Sequence, residues 1–347
     1  MSLTSFPNGI SSFGSPITAS PSLWMANGAK AYFVGGPLSS DDNKGTDYDR
    51  PLNRISNATV NKVKNSSTGS VEHGTRGAGD FVYVSTGTYA ENVRIVQRDY
   101  ARIIGAGIGI CTIKPGDTPS SANTDALGQS QTITLTNEST QVTNIAFIVG
   151  SRGVHITGFT ILGTGGTSAA NAGFYIGDGT RISASNNWGS SQFQIYGNVL
   201  DGEGATSGGW GFLWDGFGPG GIIHHNQVFR YASGGLLVND GVTRTTNGGT
   251  FYHNWIMACR GYGIRRTAAY AGGNSVYDSN RIFDDGGSAL TNGILLGTIG
   301  SGLGDFVVSN KIGTTNAPIS VSDAQDRISD NSTSTAGSAT VTYVSMA

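Results

Sequence analysis

Residues 221 to 230 read GIIHHNQVFR and residues 249 to 258 read GTFYHNWIMA, so two histidines and then one stand directly before an asparagine. Imidazoles so placed could bind a metal or move protons. His225 and His253 hold the same place relative to the asparagine, which predicts that they stack about one strand spacing, ~4.8 Å, apart and point alike. His224, one position earlier, is expected on the opposite face. A zinc site takes three or four ligands, and the corresponding place in neighbouring repeats is held by Gly197, Ser279 and Ser309. The sequence therefore predicts no metal.

Paired carboxylates are the other candidates. Asp201 and Glu203 in LDGEG stand two apart, Asp284 and Asp285 in IFDDGG flank a turn, and Asp215 and Asp240 fall near strand ends. A glycosidic acid and base need carboxyls about 5 to 9.5 Å apart with one pKa raised. Asp-Gly is also ordinary turn chemistry, and spacing leaves both readings open. The stretch 201–221, DGEGATSGGWGFLWDGFGPGG, adds Trp210, Trp214 and Phe217 beyond what a minimal repeat needs. As a protruding loop it could stack on sugar rings, whose apolar faces suit aromatic ones, or fill a subunit contact. The glycines of GAGIGI (105–110) follow a strand but precede no helical pattern, so the dinucleotide reading fails. No cofactor is expected.

Composition narrows the frame that must position these groups. Of 347 residues, 54 are glycine and only 13% are charged, against about 7% and 25% in ordinary domains. With 37% hydrophobic residues, this is a folded chain with many tight turns. A net charge of -2 provides no basic face for nucleic acid. The start, MSLTSFPNGISSFGSPI, lacks a basic and an apolar signal region, and no stretch reaches the roughly 18 apolar residues of a membrane span. Synthesis in a cytoplasm without export by a signal peptide, and no membrane insertion, are expected. Cys111 and Cys259 lie within apolar runs and are expected as buried free thiols.

The first fifty residues hold Pro7, Pro16, Pro21 and Pro37 among Ser and Gly, which suits an extended arm. Pro51 then opens a predicted short helix with Leu52, Ile55, Val60 and Val63 as its apolar stripe. From residue 79 the period changes to two, in short runs. Aligned on asparagine, FQIYGNVL, GIIHHNQV, GTFYHNWI, NSVYDSNRI and DFVVSNKI repeat with Asn198, Asn226, Asn254, Asn280 and Asn310 in one column, at intervals of 28, 28, 26 and 30. Three residues before stand Ile195, Ile223, Phe251, Tyr277 and Val307. Two residues after stand Leu200, Val228, Ile256, Ile282 and Ile312.

Inward positions of a strand recur at even intervals, so a separation of five demands a bend, expected at the asparagine, which tolerates left-handed backbone. The stacked amides would form a ladder. Coils of this length with several strands and no helix between them predict an all-β, right-handed parallel β-helix. The chain divides into an arm (1–48), a capping helix and linker (49–78), the β-helix (79–321) and a C-terminal cap or tail (322–347).

The run AYFVGG, DDNKGTDYDRPLNRISNATV, GDFVYVSTGTYAENVRI and DYARIIGAG resembles the opening cap and first coils of pectate-lyase-like right-handed β-helix proteins. SFPNGISSFGSPI resembles the N-terminal peptide of β-helical structural proteins of tailed bacteriophages. These resemblances imply a virion protein, commonly a homotrimer, attached to capsid or tail proteins through an arm containing Phe6, Pro7, Asn8 and Gly9. Of the polygalacturonase-like motifs, only Asp284-Asp285 has a counterpart. The expectation is a non-enzymatic capsid decoration or spike. The alternative is a tailspike-type depolymerase or an adhesin acting on host polysaccharide.

Overall fold

The computed structural model describes residues 29–40, 42–59, 63–64, 71–72, 79–96, 99–115, 133–134, 141–163, 170–177, 191–203, 209–215, 220–239, 248–267, 273–284, 290–297, 304–314, 316–322, 324–335 and 342–344. The arm residues Phe6 to Gly9, and Phe217, Asp240 and Asp285, lie outside them.

Three sheets enclose one interior. A coil crosses them in order: Gln194–Tyr196 in sheet one, Val199–Asp201 in sheet two and Trp210–Trp214 in sheet three. Ile222–His224 then returns to sheet one, in parallel register with Gln194–Tyr196. Such parallel crossovers take the right-handed sense, and the chain is a right-handed parallel β-helix. Among the described residues the one α-helix is Ile55–Thr59, and none is long and apolar enough to cross a membrane.

Coils stack because each presents the same apolar residue at the same register. The central residues of sheet one include Ile156, Ile195, Ile223, Phe251, Tyr277 and Val307; those of sheet two include Ile161, Leu200, Val228, Ile256, Ile282 and Ile312. All are buried, and each such side chain contributes about 1.5–3 kcal/mol. Cys111 and Cys259 are buried free thiols, and burial pushes them up to about 11 and about 12. They stay protonated at neutral pH.

Sheets one and two meet at a tight corner. The left-handed residue there is the one before each asparagine: Gly197, His225, His253, Ser279, Ser309 and Asp330 have φ of +61°, +54°, +55°, +53°, +55° and +57°. This corrects the expectation that the asparagine itself turns the chain. Asparagine is required for its amide, which points inward. The residue before it points outward and so varies freely among types that accept a left-handed backbone.

The parallel pairing also passes both ends of the 79–321 span. Ala31–Val34, within the expected arm, is the first strand of sheet one. Arg327–Ser329 and Asn331–Thr335 continue sheets one and two, and Thr342–Val344 pairs antiparallel along the edge of the latter. The helix is shorter than expected. Leu52 donates to the Phe33 carbonyl (2.8 Å) and accepts from Gly35 N–H (2.7 Å), so strand-like pairing holds Pro51 and Leu52 extended and delays the helix to Ile55. Glu91 then accepts from the N–H groups of Ile55 and Ser56 at 2.8 and 2.9 Å. Burial holds its carboxyl above the usual range despite these bonds.

Sheet three approaches sheet two across a glycine stripe: Gly173, Gly211, Gly235, Gly263 and Gly293 face Leu200, Val228, Ile256, Ile282 and Ile312. A methyl group at Gly235 would stand 2.5 Å from Ile256 Cγ2 and 2.8 Å from the Gly263 carbonyl oxygen. Gly235→Ala is therefore expected to cost about 1–3 kcal/mol through overpacking, measured as a lower urea midpoint. An unchanged midpoint would mean that the two sheets can part.

Candidate functional site

Two of the candidate carboxylates, Asp201 and Asp215, are held by structural bonds. Asp201 Oδ1 accepts from Arg230 Nε at 2.8 Å and from Glu203 N–H at 2.9 Å, and its other oxygen meets Arg230 Nη2. Glu203 is exposed on a left-handed turn. Asp215 is fully buried where the chain leaves sheet three, accepting from Tyr175 Oη at 2.9 Å and Asn239 Nδ2 at 2.8 Å. Asp284 is half-buried, and its N–H donates to the Gly313 carbonyl at 3.1 Å. Asp201 thus faces a cation one coil later, and Asp215 joins two coils.

The aromatic stretch is a strand rather than a protruding loop. Trp214 lies inside the rod, 5.2 Å from Phe193 and 5.6 Å from Phe251 between ring centroids. Trp210 is buried on the outer side of sheet three among Ile148, Tyr175, Leu213 and Leu237, with Tyr262 stacked at 6.2 Å. Neither ring offers an open face to a sugar, because strand geometry commits both to packing. Among the described residues the exposed tryptophan is Trp255, on the outside of sheet two, 6.4 Å from Phe229 and in register with Arg281.

The residues brought together are the histidines. Tyr196, His224 and Tyr252 occupy one outward column of sheet one. Their rings stack nearly parallel, at 4.9 Å and 6° on one side and 4.8 Å and 3° on the other. His225 and His253 hold the left-handed corner positions one coil apart, with ring centroids at 4.9 Å. His224 was expected on the opposite face from His225. Instead their Nδ1 atoms stand 2.8 Å apart, and His225 Nε2 lies 3.3 Å from His253 Nδ1. The left-handed backbone at His225 interrupts the strand's two-residue alternation and swings both rings to one side. Burial lowers the His224 pKa, and the neighbouring His225 and His253 lower it further. The neutral imidazole is thereby favoured, and one of the two Nδ1 atoms donates to the other.

The asparagines form a continuous hydrogen-bonded stack beneath this corner. Each side-chain oxygen accepts from the backbone N–H and the amide of the preceding asparagine: Asn226 serves Asn198, Asn254 serves Asn226, Asn280 serves Asn254, and Asn310 serves Asn280, at 2.9 to 3.2 Å. Asn331 adds a sixth rung, accepting from Asn310 at 2.9 Å. At the other end Asn198 Oδ1 accepts from Phe159 N–H at 3.1 Å.

Sequence reasoning missed a buried ionic group. Arg266 is fully buried, with Nε 2.7 Å from Asp305 Oδ2 and Nη2 3.6 Å from Asp326 Oδ2. Its place in sheet three pairs with Val238 and Leu296, so an apolar residue would fit the pattern there. Its partners come from later coils, and no local signal marks them.

No family model and no curated protein matches the sequence. Among solved structures, the pectin methylesterase from Aspergillus niger shares 15% identity at a TM-score of 0.47, covering 93% of this chain and 92% of that one. A rhamnogalacturonan lyase shares 12% at 0.39, covering 89% and 87%. The A-module of the Azotobacter vinelandii mannuronan C-5 epimerase AlgE4 shares 13% at 0.31, covering 74% and 87%. The likeness is one of fold.

Proposed function

We propose that this chain is a non-enzymatic structural protein of a bacteriophage virion. In this reading it is a capsid decoration or spike, assembled as a homotrimer, held to the particle by its N-terminal arm, with the β-helix outward. The observation that carries the reading is where the polar side chains go. Six buried asparagines, Asp215 with Asn239, Asp201 with Arg230, and Arg266 with Asp305 all join one coil to the next. These polar groups are invested in stiffness along the rod, which suits a surface element exposed to shear and proteases. The N-terminal likeness to phage structural proteins supports the same assignment.

A second reading, an adhesin that holds host polysaccharide without turnover, draws on exposed Trp255 beside Phe229 and Arg281. The deciding experiment is mass spectrometry and electron cryo-microscopy of purified particles, with host capsule or lipopolysaccharide treated in parallel. The expected result is this chain in stoichiometric amount on the particle surface and polysaccharide of unchanged viscosity. Absence from the particle, or new reducing ends from the polysaccharide, would overturn the proposal.

A further inference from the structure

Among the described residues seven large hydrophobic side chains are exposed. Six of them, Leu38, Tyr48, Tyr83, Tyr100, Ile108 and Ile110, belong to the first three coils, and the seventh is Trp255. Single exposed apolar residues are ordinary, whereas a contiguous group rimmed by polar residues marks an interaction site. We infer that the outer face of sheet one at the N-terminal end of the rod is a docking surface for a protein subunit of the particle, so that the first coils as well as the arm make the attachment. This inference rests on the virion reading.

Strand alternation builds this surface. Tyr32 and Val34 turn into the rod and send Phe33 outward, and Val82 and Val84 do the same for Phe81 and Tyr83. The parallel register then sets Phe33 beside Tyr83 and Phe81 beside Arg102. The rings join into one group: Phe33 stacks on Tyr83 at 5.8 Å, Phe81 on Tyr83 at 6.1 Å, and Tyr48 meets Phe33 edge-on at 5.7 Å. The Arg102 guanidinium lies 5.2 Å from the centre of the Phe81 ring, and that of Arg152 lies 5.4 Å from the centre of Tyr100. Ile108 and Ile110 flank the group from the turn between Arg102–Gly105 and Cys111–Ile113. Gly109 of that turn donates to Thr160 Oγ1 at 2.8 Å, which ties it to the next coil. Side chains already held in this way lose little freedom when a partner covers them.

The chemistry of the face selects a protein partner. Tyrosine and arginine are the residues most enriched at the centres of protein interfaces. The exposed charges around them are of both signs, Asp42, Asp47 and Asp49 against Lys44, Arg50 and Arg102, as in the polar rim of such an interface. A polyanionic glycan or an anionic membrane would call for an excess of cations. With Phe33 and Phe81 stacked against it, Tyr83 presents its edge, whereas a sugar ring needs an open aromatic face.

The test compares particles assembled with the full wild-type chain or with full-length variants, counting copies per particle by quantitative mass spectrometry. Two paired variants leave the arm intact: Tyr48→Ser with Tyr83→Thr, and Ile108→Ser with Ile110→Ser. Each pair is expected to lower occupancy by about tenfold or more, the scale of losing interface hot spots. Trp255→Gln, which repeats Gln227 of the same column, is expected to leave occupancy unchanged. Circular dichroism and thermal melting of each purified variant confirm that it is folded. Wild-type occupancy in both pairs would overturn the inference and leave the virion reading standing, whereas absence of the wild-type chain from particles would overturn both. Sedimentation of the purified chains tests a second copy as the occupant: loss of self-association in the paired variants would make the face a contact between copies and overturn the inference.

Discussion

Replacing Asn280 by alanine is expected to lower the unfolding free energy by about 3–5 kcal/mol, a large share of the stability of any single domain. The side chain works in both directions at once. Its oxygen accepts from Asn254 N–H at 3.0 Å and Asn254 Nδ2 at 3.1 Å, while its amide donates to the Phe251 carbonyl at 2.9 Å and to Asn310 Oδ1 at 3.0 Å. Asn254 Nδ2 keeps the Ile223 and Tyr252 carbonyls, so the main loss falls on the Asn254 backbone N–H and the Phe251 carbonyl. A buried polar group stripped of its partner costs about 1–3 kcal/mol, and the vacated volume adds to this.

Asn280→Asp separates the two roles. A carboxylate still accepts from Asn254 but repels the Phe251 carbonyl and Asn310 Oδ1, which it must meet without a proton to give. Its folded pKa is therefore raised above the ordinary value near 3.9. The folded state binds the extra proton between the two values, so stability is present below the unfolded pKa and is lost as pH rises through the folded one. Urea midpoints at pH 4 and pH 7 check both variants. A loss under about 1 kcal/mol for the alanine would show that the ladder follows the corner rather than holding it.

Much of this corner is legible in sequence, for a physical reason. Positions that face inward must stack on their like one coil away, so apolar and amide columns repeat at the coil length. Outward positions carry no such constraint. The left-handed residue, which makes the turn, is Gly, His, Ser or Asp from coil to coil, and that variety hides it behind the invariant asparagine. Asn331 escapes because its coil is short, following Asn310 by 21 residues. The meeting of His224 with His225 escapes because strict alternation, which holds inside a strand, ends at the first left-handed residue. Trp210 and Trp214 read as an insertion until their strand is seen to pair with Ala172–Ile176 on one side and Gly234–Val238 on the other.

Arg266 marks the limit of such reading and the second large effect. Two carboxyls and one guanidinium share a closed interior: Asp305 Oδ1 also accepts Ser275 N–H at 2.9 Å, and Asp326 Oδ1 accepts Asp305 N–H at 2.8 Å. Burial raises the Asp305 pKa, and the Arg266 charge pulls it back only in part. The guanidinium meets Asp305 as a close ion pair, Nε 2.7 Å from Oδ2, which offsets only part of the desolvation. Removing one member of a buried pair costs about 3–5 kcal/mol, whereas exchanging the whole set for apolar or neutral groups is often neutral or stabilising.

Arg266→Leu is accordingly expected to lose about that amount at pH 7, although leucine matches the column of Val238 and Leu296. Without the cation the Asp305 pKa rises further, and by the same linkage the deficit shrinks as pH falls toward the ordinary carboxyl value. Adding Asp305→Asn and Asp326→Asn keeps an acceptor for Ser275 and for residue 305 while removing both charges, and is expected to restore wild-type stability at pH 7. Thermal and urea unfolding of the single and triple variants decide the matter. A triple variant no more stable than Arg266→Leu would show that the arginine acts by filling space between coils, and that its charge is incidental to the fold.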